Sequence, residues 1–403
     1  MISNPMSPQS ELMLEIEGSR DEAVVVLQTL VRFPSITGDE AAIGAFVADY
    51  CRALGLAVEI VEAKPGRPNV IATWDSGLEG PTLLLNDHLD IVPPGPLSAW
   101  TYPPFDAVVV EDRVYGRGTI DTKSGLTTLL IAVRAARSIR LPIRGKLVMI
   151  FTCDEETGGR LGMQHLGRNG YLNADMAVVA EPTSMRIEIA TKGRLSFEIE
   201  TSGTATHGAR PWLGHNAIND MSRIVLALEQ LGHDLASRPH ARMGRPSLNV
   251  GTMQGGTVPN MVPNWCRVEV DRRLVPGETR EQVIQQVQSE IDALRARHPY
   301  LKASIVEKIW WPGYMLDESE PIIDIAARAF EQVVGCRPEI GVKDAGTDAS
   351  WIHNLAGIPV IMFSPGDGPS AMNADENVSI TDMMTATKVI GQIIADVLVN
   401  VAT

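Results

Sequence analysis

This 403-residue chain predicts an α/β domain with a central, mostly parallel sheet flanked by helices, interrupted by an inserted ferredoxin-like α+β unit. Three observations carry that expectation. The length exceeds what one hydrophobic core usually serves. Short apolar, β-branched runs alternate with stretches of helical periodicity, as in a buried parallel sheet. Between residues 193 and 307 the style changes to half-exposed strands and two amphipathic helices. The boundaries that follow are 1–192 with 308–403 for the larger domain and 193–307 for the insert.

Apolar residues at Ala23, Val26, Leu27 and Leu30, then at Ile43, Phe46, Val47 and Leu54, give two helices, with Thr37-Gly38-Asp39-Glu40 as the cap between them. Strands follow at Ala57–Val61, Asn69–Trp74 and Pro81–Leu85. A helix spans Thr122–Ile139, and strands follow at Lys146–Cys153 and Met176–Ala180. In the insert, Arg194–Thr201, Ser247–Gln254 and Cys266–Arg272 read as strands and His215–Leu231 and Arg280–His298 as helices. That order is the source of the ferredoxin-like expectation. The helix Pro321–Val334, the strand Val360–Phe363 and the helix Thr381–Val399 complete the larger domain.

A net charge of -14 argues against a nucleic-acid partner, which favours a basic face, but leaves room for a small substrate in a locally different field. No run of about 18 apolar residues predicts a membrane span. The start, from Met1 to Glu22, lacks a basic segment followed by an apolar one, so no signal peptide is expected. Four scattered cysteines (Cys51, Cys153, Cys266, Cys336) suit free thiols in a reducing compartment, the cytoplasm.

Four segments bearing acids or histidine fall at strand ends and turns, where an α/β sheet gathers its ligands. His88 and Asp90 point the same way on an extended segment, so one can bind metal while the other fixes the imidazole tautomer. Tyr115 to Lys123 is a glycine-rich approach to Asp121. Asp154-Glu155-Glu156 follows an apolar strand directly, an expensive place for three acids unless a cation neutralises them. Glu181 stands at another strand end. Each has an ordinary reading alone: Asp121 as a helix N-cap, the acidic run as a solvated turn, Glu181 as a hydrated side chain. Together, an oxygen-rich set with one histidine suits zinc, manganese or cobalt.

These residues resemble the dinuclear metallopeptidase and deacylase family that includes acetylornithine deacetylase, succinyl-diaminopimelate desuccinylase, aminoacylase and glutamate carboxypeptidase. His88-Leu89-Asp90-Ile91-Val92-Pro93 is similar to its first metal motif and Tyr115–Gly125 to its bridging-aspartate motif. Asp154-Glu155-Glu156 with Gly158-Gly159 is similar to its base-and-ligand motif, and Glu181-Pro182-Thr183 to its fourth. The resemblance implies that His88, Asp121 and Glu181 hold one metal and that Glu156 belongs to a second site sharing Asp121. It further implies Glu155 as the general base and Asp90 as the residue orienting His88. By the same likeness the insert is a lid and dimerisation domain, and His207 crosses a homodimer interface to stabilise the oxyanion. Asn260, Arg273, Gly346 and Thr347 would touch substrate. Unaided, His207 reads as a loop histidine, Arg273 as a strand-end charge and Asp348 as the cap of a helix Ala349–Leu355.

One departure stands out. The family's last metal ligand is a histidine four residues before a glutamate, and here Met372 precedes Glu376 at that spacing. A thioether binds zinc or manganese poorly, so one tightly bound metal per chain is expected, with Met372 facing substrate instead. The resemblance implies an N-acyl amino acid amidohydrolase. The alternative is a one-metal hydrolase of an aromatic amine, like the family's nitroanthranilate aminohydrolase offshoot, with Trp310 and Trp311 lining an apolar pocket. A second alternative is a non-catalytic binding protein on the same fold.

Overall fold

A computed structural model describes residues 6–399, and the chain divides into two compact units. One comprises Met1–Ala190, Leu316–Lys343 and Thr347–Thr403; the other comprises Thr191–Met315 with Asp344–Gly346. The smaller unit begins near the expected residue but runs past residue 307, because its last strand, Lys302–Trp311, keeps pairing with Gly193–Ser202 as far as Trp311 opposite Arg194.

The larger unit is built on one sheet. Its strands run in the order Ala57–Glu62, Pro68–Asp75, Lys146–Thr152, Thr82–His88, Met176–Val179, Val360–Met362 and Ile187–Thr191. The central four are mutually parallel and the flanking pairs antiparallel. Burial explains why these central strands are apolar throughout: Leu83, Leu84 and Leu85 are fully enclosed, as are Met149, Ile150 and Phe151. The helices Ser124–Ser138 and Ile380–Leu398 pack on each other, and their buried faces account for their nearly continuous apolar composition.

Several elements escape periodicity. Pro8–Glu17 is a helix capped by the Ser7 hydroxyl, which accepts the Ser10 N–H at 3.2 Å. Three short strands, Val108–Val110, Arg113–Tyr115 and Asn377–Ser379, form a separate small sheet that places Glu376 beside Gly116. Strands of three residues carry too little pattern to be read. The expected cap at Thr37–Glu40 is also corrected. Glu40 makes no side-chain cap; its carboxylate is buried and takes the Arg67 guanidinium, with Nε at 2.5 Å and Nη2 at 2.7 Å.

In the smaller unit the strands lie in the order Ser247–Gly255, Trp265–Leu274, Gly193–Ser202, Lys302–Trp311, all antiparallel, with helices Ala217–Ala236 and Arg280–Arg297. This is the ferredoxin-like arrangement. Leu195, Phe197 and Ile199 alternate into a core with Val268, Val270, Val283 and Val287. Trp310 packs against that core, so the Trp pair does not jointly line a pocket.

Candidate metal centre

Parallel strands deliver their C-terminal ends to one edge of a sheet, and the registers here do so closely: His88 lies opposite Thr152, and Asn86 opposite Val179. The next residues along each strand are therefore neighbours. Asp90, Glu155, Glu156 and Glu181 converge with His88, and Asp121 joins them from the loop before the helix Ser124–Ser138. Gly125 permits that approach, since a Cβ there would sit 2.1 Å from the Ala180 carbonyl oxygen and 2.7 Å from Asp87 Oδ2.

His88 is buried, and its Nδ1 lies 2.9 Å from the main-chain oxygen of Asp90. A carbonyl can only accept, so Nδ1 carries a proton. Nε2 faces Asp121 Oδ1 at 3.1 Å and Glu181 Oε1 at 3.9 Å, donating to Asp121 in the metal-free chain at the place a cation would take. The Asp90 carboxylate, 3.6 Å from the ring, is engaged elsewhere. It accepts the N–H groups of Glu155 at 3.0 Å and Glu156 at 3.2 Å and the Thr37 hydroxyl at 2.8 Å. The Asp90 carbonyl thus fixes the ring, while its carboxylate also lies beside Nδ1 and anchors the acidic turn.

Asp121 does not cap a helix. Its φ and ψ of -117° and 90° are not helical, the helix begins at Ser124, and its carboxylate turns to His88. The irregular loop is held from below by Glu376, whose Oε1 accepts the N–H of Ile120 at 2.8 Å and of Asp121 at 3.2 Å. Arg117, also buried, binds Glu376 and donates from Nη2 to the Met372 carbonyl oxygen at 2.9 Å. Met372 itself is 48% exposed with a φ of 63°, so it meets the site's supports through its main chain.

Single donor atoms gather within 4.8 Å of one another in two groups: His88 with Asp121 and Glu156, and His88 with Glu155 and Glu181. The expected trio is split between them, with His88 common to both. The electrostatics ask for a cation. Burial first, then the charge of Glu181, pushes the Glu155 carboxyl well above the usual range. Burial and then Asp121 do the same to Glu156, and burial raises Glu181 against the opposing Lys343 ammonium. For His88, burial alone would lower the pKa, but the hydrogen bond with Asp121 and the adjacent Asp90 carboxylate outweigh it and raise the ring well above its ordinary value. Among the described residues, Glu156 Oε1, Asp87 Oδ2 and Asp348 Oδ1 are buried without a hydrogen-bond partner. Carboxylates this enclosed stay ionised only beside a positive ion, so the residues fit a divalent cation.

The sequence reading missed the supports. Asp348 is not the helix cap; Thr347 is, its hydroxyl accepting the Ala349 N–H at 3.2 Å. Asp348 is instead buried 2.5 Å from the Thr152 hydroxyl, and burial, opposed by that hydrogen bond, lifts its carboxyl to about 7. Lys343, whose ammonium lies 3.6 Å from Glu181 Oε2, had only its place at a strand end to mark it. In the smaller unit, His207 is exposed and its Nδ1 accepts the Ala209 N–H at 3.1 Å, while the Asn260 carbonyl oxygen accepts the Gly208 N–H at 2.8 Å. Arg273 donates from Nε to Asp271 Oδ1 at 2.6 Å. Gly346 lies against the Trp311 side chain, where a Cβ would come within 2.8 Å.

Comparison with known proteins agrees with this geometry. The model of peptidase family M20/M25/M40 matches residues 84–396. Acetylornithine deacetylase of Aliivibrio fischeri is 30% identical, over 83% of this chain and 86% of that protein. N-formyl-4-amino-5-aminomethyl-2-methylpyrimidine deformylase of Halalkalibacterium halodurans is 24% identical, over 95% of this chain and 96% of its own length. Among solved structures, an M20 family metallo-carboxypeptidase from Sulfolobus solfataricus superposes with a TM-score of 0.78 at 19% identity, covering 93% of this chain and 98% of that one. A dinuclear metal-binding M20 peptidase of Bacillus subtilis superposes with a TM-score of 0.73 at 15% identity, covering 96% and 100%. The chain belongs to peptidase family M20/M25/M40 and is a metal-dependent hydrolase of carbon–nitrogen bonds.

Proposed function

We propose that this protein is an N-acyl amino acid amidohydrolase that works through one divalent cation, zinc, manganese or cobalt, held by His88, Asp121 and Glu181. The observation that carries the reading is the placement of His88 Nε2, 3.1 Å from Asp121 and 3.9 Å from Glu181 in a buried acidic pocket. Donors about 2.0–2.2 Å from a common ion stand at separations of this size. The names of the two relatives, a deacetylase and a deformylase, support an acyl group on nitrogen as the bond attacked.

The cation supplies Lewis acidity toward the acyl oxygen and lowers the pKa of water. Glu155 takes a proton from the attacking water and returns it to the leaving nitrogen. Asp90 fixes the turn that aims Glu155, through the two main-chain bonds at 3.0 and 3.2 Å. His207 would stabilise the developing oxyanion from a partner subunit, with Asn260, Arg273, Gly346, Thr347 and Met372 contacting substrate. Support for a homodimer comes from the strand Ser247–Gly255, an exposed sheet edge on which Met253 is 46% accessible. Cys51, Cys153, Cys266 and Cys336 are free thiols, which supports the cytoplasm as its compartment.

Met372 favours a second reading. It brings only a carbonyl oxygen to Arg117, and its thioether is no ligand for a hard cation, so Glu156 lacks an imidazole to complete a second site. One-metal chemistry on an aromatic amine is consistent with that. A panel of N-acetyl amino acids and nitroaromatic amines, run with zinc, manganese and cobalt, separates the two. Turnover of the acylated series that disappears in Glu155→Gln supports the amidohydrolase. Turnover confined to the aromatic amines overturns it.

A further inference from the structure

We infer that Lys343 is a positioning residue of the hydrolytic site: its ammonium holds one oxygen of Glu181, so that this carboxylate offers a cation only the other. The inference rests on the proposed role of Glu181 as a ligand.

The two oxygens of Glu181 face opposite partners. Oε2 lies 3.6 Å from Lys343 Nζ, and Oε1 lies 3.9 Å from His88 Nε2. Lys343 is itself fixed, since Nζ donates to the Pro182 carbonyl oxygen at 2.7 Å and its side chain is only 14% exposed. The residue closes the strand Ile340–Lys343, which pairs with Ile187–Thr191, so its stem is carried by the sheet. The ammonium therefore reaches the Glu181-Pro182 turn from a rigid element, with one donor spent on the main chain and its charge directed at the carboxylate.

Two consequences follow. An ammonium beside Oε2 opposes a cation on that oxygen and favours coordination through Oε1 alone, which keeps a coordination position open for chemistry. A fixed positive charge a few ångströms from the bound ion also opposes it, in surroundings too buried for water to screen the repulsion. Lys343 thus holds cation affinity below what the acids alone would give. Orientation and charge act in opposite directions on affinity when the residue is removed. The loss of a side-chain restraint is small beside the loss of an unscreened like charge, so tightening is the expected net effect.

The test is calorimetric titration of chelator-stripped protein with Mn²⁺, comparing wild type, Lys343→Met, Lys343→Gln and Lys343→Arg. Glutamine keeps a donor for the Pro182 carbonyl without the charge, so it reports even where methionine disturbs the turn. The expected result is an affinity at least tenfold tighter for the Met and Gln chains and within threefold of wild type for Arg. A Lys343→Gln chain that binds Mn²⁺ no more tightly than wild type overturns the inference and leaves the metal site standing. A wild-type chain that binds no Mn²⁺ overturns the metal site itself, a distinguishable outcome.

Discussion

Replacing Asp90 by alanine removes the acceptor that ties the acidic turn to the first metal motif. The carboxylate is fully buried and accepts three bonds: Glu155 N–H at 3.0 Å, Glu156 N–H at 3.2 Å and the Thr37 hydroxyl at 2.8 Å. Bonds to a charged acceptor contribute ~1.5–3 kcal/mol each, and a donor left unpaired in the interior costs a similar amount. The desolvation of the buried carboxylate, which the substitution relieves, offsets part of that sum. The expected net loss is about 3 kcal/mol of stability, or on the order of 10 °C in melting temperature, given ~2–4 °C per kcal/mol for larger domains. The kinetic effect is larger. Asp154 enters the turn with a φ of 68°, a conformation held by its surroundings, so losing the anchor lets Glu155 drift. A displacement near 1 Å in a catalytic group costs roughly 100-fold. Thermal unfolding of the metal-loaded protein and kcat/KM on the best substrate measure both. A variant that melts within about 2 °C of wild type and keeps kcat/KM within about threefold would refute the anchoring role.

Three further outcomes are expected. Arg67→Met strands the buried Glu40 carboxylate, which now takes two bonds at 2.5 and 2.7 Å, and should cost ~3–5 kcal/mol in urea denaturation, with most of it recovered by adding Glu40→Leu. Because Glu155, Glu156, Glu181 and His88 all hold protons more tightly than usual in the metal-free chain, cation binding should release protons. Affinity should then fall as pH falls, and the binding enthalpy should vary with the ionisation enthalpy of the buffer; a pH-independent affinity would contradict this. Met372→His should raise bound metal toward two per chain, since Asp121 and Glu156 gain the missing imidazole, and an unchanged stoichiometry would count against Met372 as the reason for a single site.

The larger sheet was legible because its strands are buried on both faces and read as unbroken apolar runs, as at Leu83–Leu85 and Met149–Phe151. The six residues that converge around His88 stood out as well, since acids placed directly after such strands have few structural uses. What remained hidden depends on long-range contact. Glu376 reaches the main chain of Ile120 and Asp121 across some 255 residues, and nothing local to it announces that bond. Glu40 looks like a helix-start acid until Arg67 appears beside it. Asp348 looks like a helix cap until the hydroxyl one residue earlier, on Thr347, takes the capping role and releases the carboxylate into the interior. Lys343 carries no motif at all; only the packing of its strand against Ile187–Thr191 puts it next to Glu181.

The central claim is that His88 Nε2, flanked by Asp121 and Glu181, is the nucleus of a single tight metal site. Elemental analysis of extensively dialysed wild-type and His88→Ala protein tests it most directly. The account predicts one zinc, manganese or cobalt ion per wild-type chain and none retained by a folded His88→Ala chain. Equal metal content in the two proteins, or a metal-free wild type that is fully active, would contradict it.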